Sequence, residues 1–328
     1  MIKNQSGSSI RRRVHSEKIM QHAQTKSRKK QNRLSPLVGQ YLQASLSDNT
    51  RLAYSNDIKH FMEWGGRIPA TPESVASYLA VHADKLSFAT LSRRIVAINK
   101  AHTVKRLPSP VHTDMVKATL HGIRRTYGCA QRRVHPALMR DIERMVKGLD
   151  GMKGSRDKAL LLIGFAGAFR RSELVSIKVE DLLFVDEGMI IHMRRGKTDQ
   201  IGKGRDIAIP YVRGKYSPVQ ATMDWLKQSG ITSGCVFRRV DRYGNVTGQG
   251  LSPQSVALIV KEHAKKIGLD EQNFSGHSLR AGLVTSAVKL GVSSWKICQQ
   301  TGHQSEAMMQ RYIRDSRLFA DNPVEMMW

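Results

Sequence analysis

Hydrophobic positions between residues 36 and 127 recur at helical spacing, with short polar breaks between the repeats. Residues three or four apart share a helix face, so each apolar stripe predicts an amphipathic helix. The stripes are Tyr54, Ile58, Phe61 and Met62; Leu91, Ile95 and Ile98; and Val116, Leu120 and Ile123. A capping cluster, Ser47-Asp48-Asn49, precedes the first stripe. The pattern predicts a bundle of four or five helices over residues 36–128.

The remainder of the chain combines helical patterns with two short strands. The pattern predicts two strands joined by a glycine-rich turn, at Met189 to Met193 and at Asp206 to Val212. Helical patterns cover residues 137–149, 156–168 and the stretch from Ser252 to the end. Residues 128–136 read as a linker. The predicted fold class is therefore mainly α with a small β-sheet, an α+β domain that follows an all-α domain.

Several classes of protein are excluded by the same pattern. The longest apolar run, Ala159 to Phe169, has eleven residues, whereas a membrane-spanning helix needs about 20. The first residues are polar and basic, without the apolar segment of a secretory signal. Cys129, Cys235 and Cys298 are odd in number and far apart, which excludes a disulfide framework and a Cys-x-x-Cys zinc site. We therefore expect a cytoplasmic protein with no membrane partner.

Positive charge is the strongest feature of the composition. The chain has 53 Lys and Arg against 27 Asp and Glu, a net charge of +26. Residues 1–34 hold ten bases and one acid, a net +9, with few large apolar side chains, so we expect a disordered basic arm over residues 1–35. The remaining excess belongs to the folded body. This charge favours a nucleic-acid partner, although ribosomal, chromatin and membrane-surface proteins are equally basic.

Adjacent arginines are candidates for contacts with nucleic-acid phosphates, because guanidinium groups pair with phosphate oxygens in fixed geometry. Solvated surface charge explains any single pair equally well. The candidate pairs are Arg93 and Arg94 in a predicted helix, Arg132 and Arg133 in the linker, and Arg194 and Arg195 at the strand turn.

Four clusters in the second half combine side chains that carry chemistry. They are Arg170 with Glu173, Lys197 at the strand turn, His277 with Arg280, and His303 with Tyr312. Taken singly, each has an ordinary explanation, such as an ion pair within a helix or a solvated turn lysine. Gly196-Lys197-Thr198 is no nucleotide-binding P-loop, because Ile191 stands where that motif needs glycine and the turn joins two strands.

Taken in order, the clusters resemble the active-site series of the tyrosine recombinases, the phage integrase family. The resemblance covers residues 36–315 and implies an integrase-like two-domain clamp. It implies a helical, SAM-like core-binding domain at 36–128 and a catalytic domain at 129–315. Ala168-Phe169 stands where the family often has Gly-Leu, which we interpret as a packing variation.

The resemblance assigns the bond-making steps to three side chains. Tyr312 is the expected nucleophile, and its attack on phosphorus leaves a 3′-phosphotyrosyl bond and a free 5′-hydroxyl. Lys197 is expected to protonate the departing 5′ oxygen, with Lys203 as a competing candidate. His277 is expected to help move the proton of Tyr312.

The remaining residues of the series are expected to hold the phosphate. Arg170 and Arg280 match its non-bridging oxygens, and His303 adds a hydrogen bond. Glu173 orients Arg170 or His277. No metal ligand set with the usual spacing occurs, so we expect no metal and no cofactor.

The implied partner is double-stranded DNA with specific recombination sites. The resemblance also implies a tetramer of this chain in the synapse, with an accessory DNA-bending protein as an option. Residues 316–328 are rich in apolar side chains and either dock in trans on a neighbouring catalytic domain or fold back on their own. Two alternatives remain, a non-catalytic basic DNA-binding regulator or architectural protein on this fold, and a relaxing topoisomerase.

Overall fold

The computed structural model describes residues 37, 40, 41, 45–128, 134–194, 204–303 and 327. Contacts along the chain divide it into two compact units, residues 1–131 and residues 132–328. Each unit is built around its own hydrophobic core. The predicted arm at residues 1–35 lies outside the described residues.

The described part of the first unit is a bundle of four α-helices. Their bounds are Asp48–Glu63 (α1), Pro72–Val81 (α2), Phe88–Val104 (α3) and Asp114–Tyr127 (α4). The hydroxyl groups of Ser47, Thr71 and Ser87 cap the first three helices, each accepting a hydrogen bond from the backbone N–H three residues further on. These bonds satisfy N–H groups that have no partner inside the helix.

The predicted apolar stripes meet in the core of this bundle, except for Tyr54, which is partly buried outside the core, and Met62. Phe61, Leu91 and Ile98 are fully buried, but Met62 is 54% exposed. Successive helix residues are about 100° apart, so Met62 lies about 80° from Tyr54, at the edge of the stripe. The first stripe is therefore narrower than we predicted.

The second unit combines helices with two small antiparallel sheets. Its helices are Met139–Val146 (α5), Gly151–Ala166 (α6), Arg171–Ser176 (α7), Pro218–Ser229 (α8), Pro253–Lys266 (α9), Gly276–Lys289 (α10) and Ser294–Thr301 (α11). Its strands are Leu182–Val185 (β1), Gly188–Met193 (β2), Arg205–Pro210 (β3), Arg238–Val240 (β4) and Val246–Gly250 (β5). One sheet has the order β1-β2-β3, and β4 pairs with β5.

Helix α6 is the centre of this unit, because its apolar residues are buried on every side. Gly164 lets Leu174 of α7 and Leu279 of α10 approach the α6 backbone, where a Cβ would meet both side chains. Helix α7, which carries Glu173, and helix α10, which carries His277 and Arg280, thus pack on α6. The predicted fold class, mainly α with a small sheet, is confirmed. In the described ranges, no helix is both long and apolar enough to span a bilayer.

Strands β1, β4 and β5 were not predicted. In β1, Leu183 and Phe184 are both exposed, so the strand lacks the alternation of buried and exposed residues that identifies a strand. Strands β4 and β5 are short and rich in arginine and glycine. The predicted strand at 206–212 begins instead at Arg205 and ends at Pro210.

Candidate active site

The first part of the site lies where α6 ends and α7 begins. Arg170 is the N-cap of α7, and Glu173 accepts hydrogen bonds from its backbone N–H (3.0 Å) and its guanidinium (2.6 Å). Burial would raise the pKa of Glu173, but these bonds and the charges of Arg170 and Arg205 bring the pKa below its usual value. Glu173 is a buried carboxylate that fixes the direction of the Arg170 side chain.

Ala168 adopts a backbone conformation that glycine normally occupies. Its φ angle is +49°, in the left-handed region, and its side chain is fully buried. This conformation costs an alanine about 1–2 kcal/mol relative to the right-handed form. At Ala168 the departure from Gly-Leu therefore adds backbone strain, while Phe169 packs in the core, in agreement with a packing variation.

The strain is located beside the second arginine of the site. Arg280 lies on α10 and is 2% exposed. Its Nη1 donates hydrogen bonds to the carbonyl oxygens of Ala168 (2.9 Å) and Thr301 (2.8 Å), and its Nη2 lies 3.0 Å from His303 Nε2. The guanidinium thus ties the end of α6 to the end of α11. Its direction is set by the protein before any ligand binds.

His303 lies among cations. The pKa of His303 is lowered to about 4. Burial is the largest cause, and it is followed by the charges of Arg280, Arg170, His277 and Arg205. The imidazole is therefore neutral near pH 7 in the free protein. An added anion would raise this pKa, because it would offset the four positive or partly positive neighbours.

His277 lies one turn before Arg280 on α10, whose N-cap is Ser275. The residue is exposed. Partial desolvation of the ring, with the charges of Arg280, Arg170 and Arg171, lowers the pKa of His277 below its usual value. The predicted group of Arg170, Glu173, His277, Arg280 and His303 is thus brought together by α7, α10 and the end of α11.

Arg205 is a member of this group that the sequence did not indicate. As the first residue of β3, it places Nη2 3.6 Å from Glu173 Oε2 and donates from Nη1 to the carbonyl of Gln300 (3.1 Å). Gly302, with φ +68°, packs on its guanidinium, and a Cβ there would lie 2.5 Å from Nη1. Burial lowers the pKa of Arg205, Glu173 opposes the shift, and Arg170 adds to it. Arg205 thus joins the base of the β2–β3 hairpin to α7 and to the turn before His303.

The candidate DNA-contact residues differ in placement. Arg194 is 62% exposed and donates from Nε to Asp181 (2.8 Å). Arg93, about half exposed, donates twice to Asp57 (2.8 and 2.9 Å). Arg94 is 8% exposed and donates to the Tyr78 hydroxyl (2.6 Å). The prediction that Arg94 faces phosphate was wrong, because its own unit encloses it.

Other predicted site residues lie outside the described residues. They are Arg132, Arg133, Arg195, Lys197, Lys203 and Tyr312. Within the described ranges, no three His, Cys, Asp or Glu side chains are grouped so that they could hold a metal ion.

Comparison with known proteins decides the family. Residues 136–317, more than half of the chain, match the model of the phage integrase family. The chain belongs to this family. An integrase/recombinase xerD homolog of Selenomonas ruminantium is 41% identical over 307 residues, which cover 90% of each chain. A tyrosine recombinase of Synechococcus elongatus is 27% identical and covers 81% of this chain and 84% of its own.

Solved structures agree with the phage integrase fold. A lambda integrase dimer bound to a COC′ core site has a TM-score of 0.59 and 16% identity, covering 95% of this chain and 89% of that chain. XerH in a post-cleavage complex with difH has a TM-score of 0.59 and 17% identity, covering 78% of this chain and 71% of that chain. As a tyrosine recombinase, the protein cuts and rejoins DNA at specific sites.

Proposed function

We propose that this recombinase cuts DNA through a 3′-phosphotyrosyl intermediate at the site formed by Arg170, His277, Arg280 and His303. The anchoring of the two arginines is the observation that supports this site. Arg280 is held by two backbone carbonyls, and Arg170 is held by Glu173. Two guanidinium groups with fixed directions match the non-bridging oxygens of a phosphodiester, where negative charge grows in the transition state.

The bond changes balance without an external energy source. Tyr312 Oη forms a bond to phosphorus while the bond from phosphorus to the 5′ oxygen breaks. His277 accepts the phenol proton, and its lowered pKa leaves the ring neutral and able to do so near pH 7. Lys197 gives a proton to the leaving oxygen. A 5′-hydroxyl from a second DNA end then reverses the steps, so the bond energy is retained and no cofactor or metal takes part.

Exposed arginines would hold the duplex around this site. Arg194 and Arg93 each keep part of the guanidinium accessible while a carboxylate, Asp181 or Asp57, fixes the side chain. In our proposal Arg132, Arg133 and Arg195 add further phosphate contacts. The helical domain at 36–128 and the catalytic domain at 129–315 would clamp the duplex, with the basic arm at 1–35 as an additional contact.

The proposed assembly is a tetramer of this chain on two DNA sites in the cytoplasm, with an accessory DNA-bending protein as an optional partner. Head-to-tail contacts in such a ring would coordinate the four active sites. The chain would act in integration, excision or resolution of a DNA element.

A suicide-substrate experiment tests the proposed function. The protein is incubated with nicked DNA from the ends of its own genetic element. Cleavage releases the short fragment that carries the 5′-hydroxyl, which diffuses away, so the covalent complex accumulates. Mass spectrometry of the digested adduct should place the DNA 3′ phosphate on Tyr312. An adduct on another residue, or a 5′-linked adduct, would refute the mechanism. Relaxation of plasmids by isolated monomers without pairing of sites would favour a topoisomerase.

The identity of the general acid gives a separate prediction. Lys197→Ala should slow cleavage of normal DNA by about 10²–10⁴-fold, because the 5′ oxygen then leaves unprotonated. A 5′-bridging sulfur needs no proton to leave, so this substrate should restore cleavage. Lys203→Ala is the matched control and should cleave both substrates at the normal rate. The general acid would instead be Lys203 if Lys197→Ala cleaved normal DNA at the normal rate, while Lys203→Ala cleaved it slowly and was restored by the sulfur substrate.

The C-terminal residues give a prediction about assembly. Leu318, Phe319 and Trp328 belong to an apolar segment that directly follows the nucleophile, and Pro323 should stop a helix there. We propose that residues 316–328 dock on a neighbouring catalytic domain. Deletion of residues 318–328 should leave binding to one site unchanged and weaken pairing of two sites by about tenfold or more. Gel-shift and light-scattering assays measure both. Unchanged pairing would mean that the segment folds back on its own domain.

A further inference from the structure

Thr301, the last residue of α11, contacts the ring of His303. Its hydroxyl oxygen lies 2.6 Å from His303 Nδ1 and 2.7 Å from the carbonyl oxygen of Ile297, with the Cys298 carbonyl oxygen at 3.4 Å. Thr301 is fully buried. Among the described residues, these three atoms are the hydrogen-bond partners of its hydroxyl.

The partners determine which ring nitrogen carries the proton. A threonine hydroxyl has one hydrogen, and both carbonyl oxygens are acceptors only, so the hydrogen points to Ile297. The oxygen then accepts from His303 Nδ1, which must be protonated. On the other side of the ring, Arg280 Nη2 can only donate, so His303 Nε2 must accept. Both contacts specify the same neutral tautomer.

This tautomer is the wrong one for binding a phosphate. A phosphate oxygen is an acceptor, and His303 can approach it only through Nε2, because Nδ1 faces the buried Thr301 hydroxyl. Nε2 has no hydrogen to donate while the ring is neutral. A hydrogen bond from Nε2 to phosphate therefore requires a second proton on the ring, as long as Thr301 continues to accept from Nδ1.

Among the described residues, charged and titratable groups surround the ring on several elements. They are Arg170 at the N-cap of α7, His277 and Arg280 of α10, and Arg205 of β3. The nearby carboxylate, Glu173, is bound to Arg170 and faces Arg205. In the free protein this environment disfavours a charged imidazole. A DNA phosphate between the arginines supplies the negative charge that reverses this preference.

We propose that Thr301 is a positioning residue that keeps Nδ1 of His303 protonated, so that His303 binds the DNA phosphate as an imidazolium. A proton from solvent forms the new bond to Nε2. The hydrogen bond from Arg280 Nη2 to Nε2 breaks, and a phosphate oxygen accepts from both nitrogens, while Arg280 Nη1 keeps its two carbonyl partners. The inference rests on the proposed function, because it places the scissile phosphate at this site.

The tautomer can be measured without DNA. In ¹⁵N-labelled free protein at pH 7, long-range imidazole spectra should show Nδ1 of His303 as protonated and Nε2 as the unprotonated acceptor. Thr301→Ser should give the same spectrum, because it keeps the hydroxyl. An Nε2–H tautomer in the wild-type free protein would overturn the proposal, whether or not the protein cleaves DNA.

Proton uptake tests the step that involves DNA. Calorimetry of DNA binding at pH 6.5 in buffers of different ionisation enthalpy gives the number of protons taken up per protomer. We expect wild type and Thr301→Ser to take up at least about half a proton more than Thr301→Val. In Thr301→Val an imidazolium would bury an N–H without an acceptor, so the neutral Nε2–H form should bind instead.

The pH profile of cleavage gives a second readout. Between pH 6.5 and pH 9, adduct formation by wild type and Thr301→Ser should fall at least about threefold more than adduct formation by Thr301→Val, because only the first two need the second proton. Changes in the protonation of His277, Lys197 and Tyr312 over this pH range are common to all three proteins. They therefore cancel when the falls in adduct formation are compared as a ratio.

Thr222→Val is the matched structural control. Thr222 is 1% exposed on α8, and its hydroxyl donates to the Pro218 carbonyl (2.9 Å), as Thr301 does to Ile297. This variant loses a buried hydroxyl without touching a histidine and should keep the wild-type profile. Equal uptake and equal profiles in Thr301→Val and Thr301→Ser would overturn the proposal, since the hydroxyl would then rotate to donate to Nδ1. Absence of any adduct in wild type would instead refute the proposed function.

Discussion

Replacement of the tyrosine nucleophile should abolish covalent chemistry while leaving DNA binding intact. We expect Tyr312→Phe to form adduct on nicked DNA at least about 10³-fold more slowly than wild type, because phenylalanine has no oxygen to attack phosphorus. Binding should be unchanged, since the arginines that hold phosphate remain. Denaturing gels measure the adduct, and gel shifts under native conditions measure binding.

A second tyrosine of the same unit serves as the control. Tyr243, in the turn between β4 and β5, is 73% exposed. Tyr243→Phe should form adduct at the wild-type rate. Adduct that persists in Tyr312→Phe and disappears in another tyrosine variant would place the nucleophile elsewhere.

The sequence predicted those features that depend on local spacing. The pairing of Arg170 with Glu173 follows from their separation of three residues, and the structure confirms it at 2.6 Å. The first turn of α10 places His277 and Arg280 on one side of the helix for the same reason. The stripes of the helical unit are equally local, and two of their residues do not belong to the core, Met62 at the edge of its stripe and Tyr54.

Features that depend on distant residues were not predictable from spacing. Arg205 faces Glu173 and Gln300, which lie 32 and 95 residues away in the chain, so no local spacing marks it as their partner. Arg94 was misassigned because its partners, Tyr78 and His60, lie on other helices. The positive φ angle of Ala168 has no sequence signal, since alanine rarely adopts it. A long-range contact becomes visible only when the packing of helices and strands is known.

Arg280→Lys should separate charge from geometry at the site. Lysine keeps the positive charge but has one nitrogen, whereas Arg280 reaches the carbonyls of Ala168 and Thr301 and the ring of His303 together. A single ammonium cannot bind both carbonyls and still present two donors to phosphate. We expect adduct formation to fall about 10²–10³-fold, as it does when one preorganised donor is removed from an oxyanion site.

The same substitution should also reduce stability, because it leaves a buried carbonyl without a donor. The expected loss in the free energy of unfolding is about 1–3 kcal/mol, measured by urea denaturation. Arg156→Lys is the matched control, since Arg156 is also buried (5% exposed) and donates twice to Asp157. Arg156→Lys should lose comparable stability and still cleave at the wild-type rate below its melting temperature. Equal losses of cleavage in both variants would mean that Arg280 acts through stability alone. A cleavage defect confined to Arg280→Lys would show that the guanidinium of Arg280 stabilises the transition state. Both variants make the same chemical change at a buried arginine, so loss of stability alone would affect them equally.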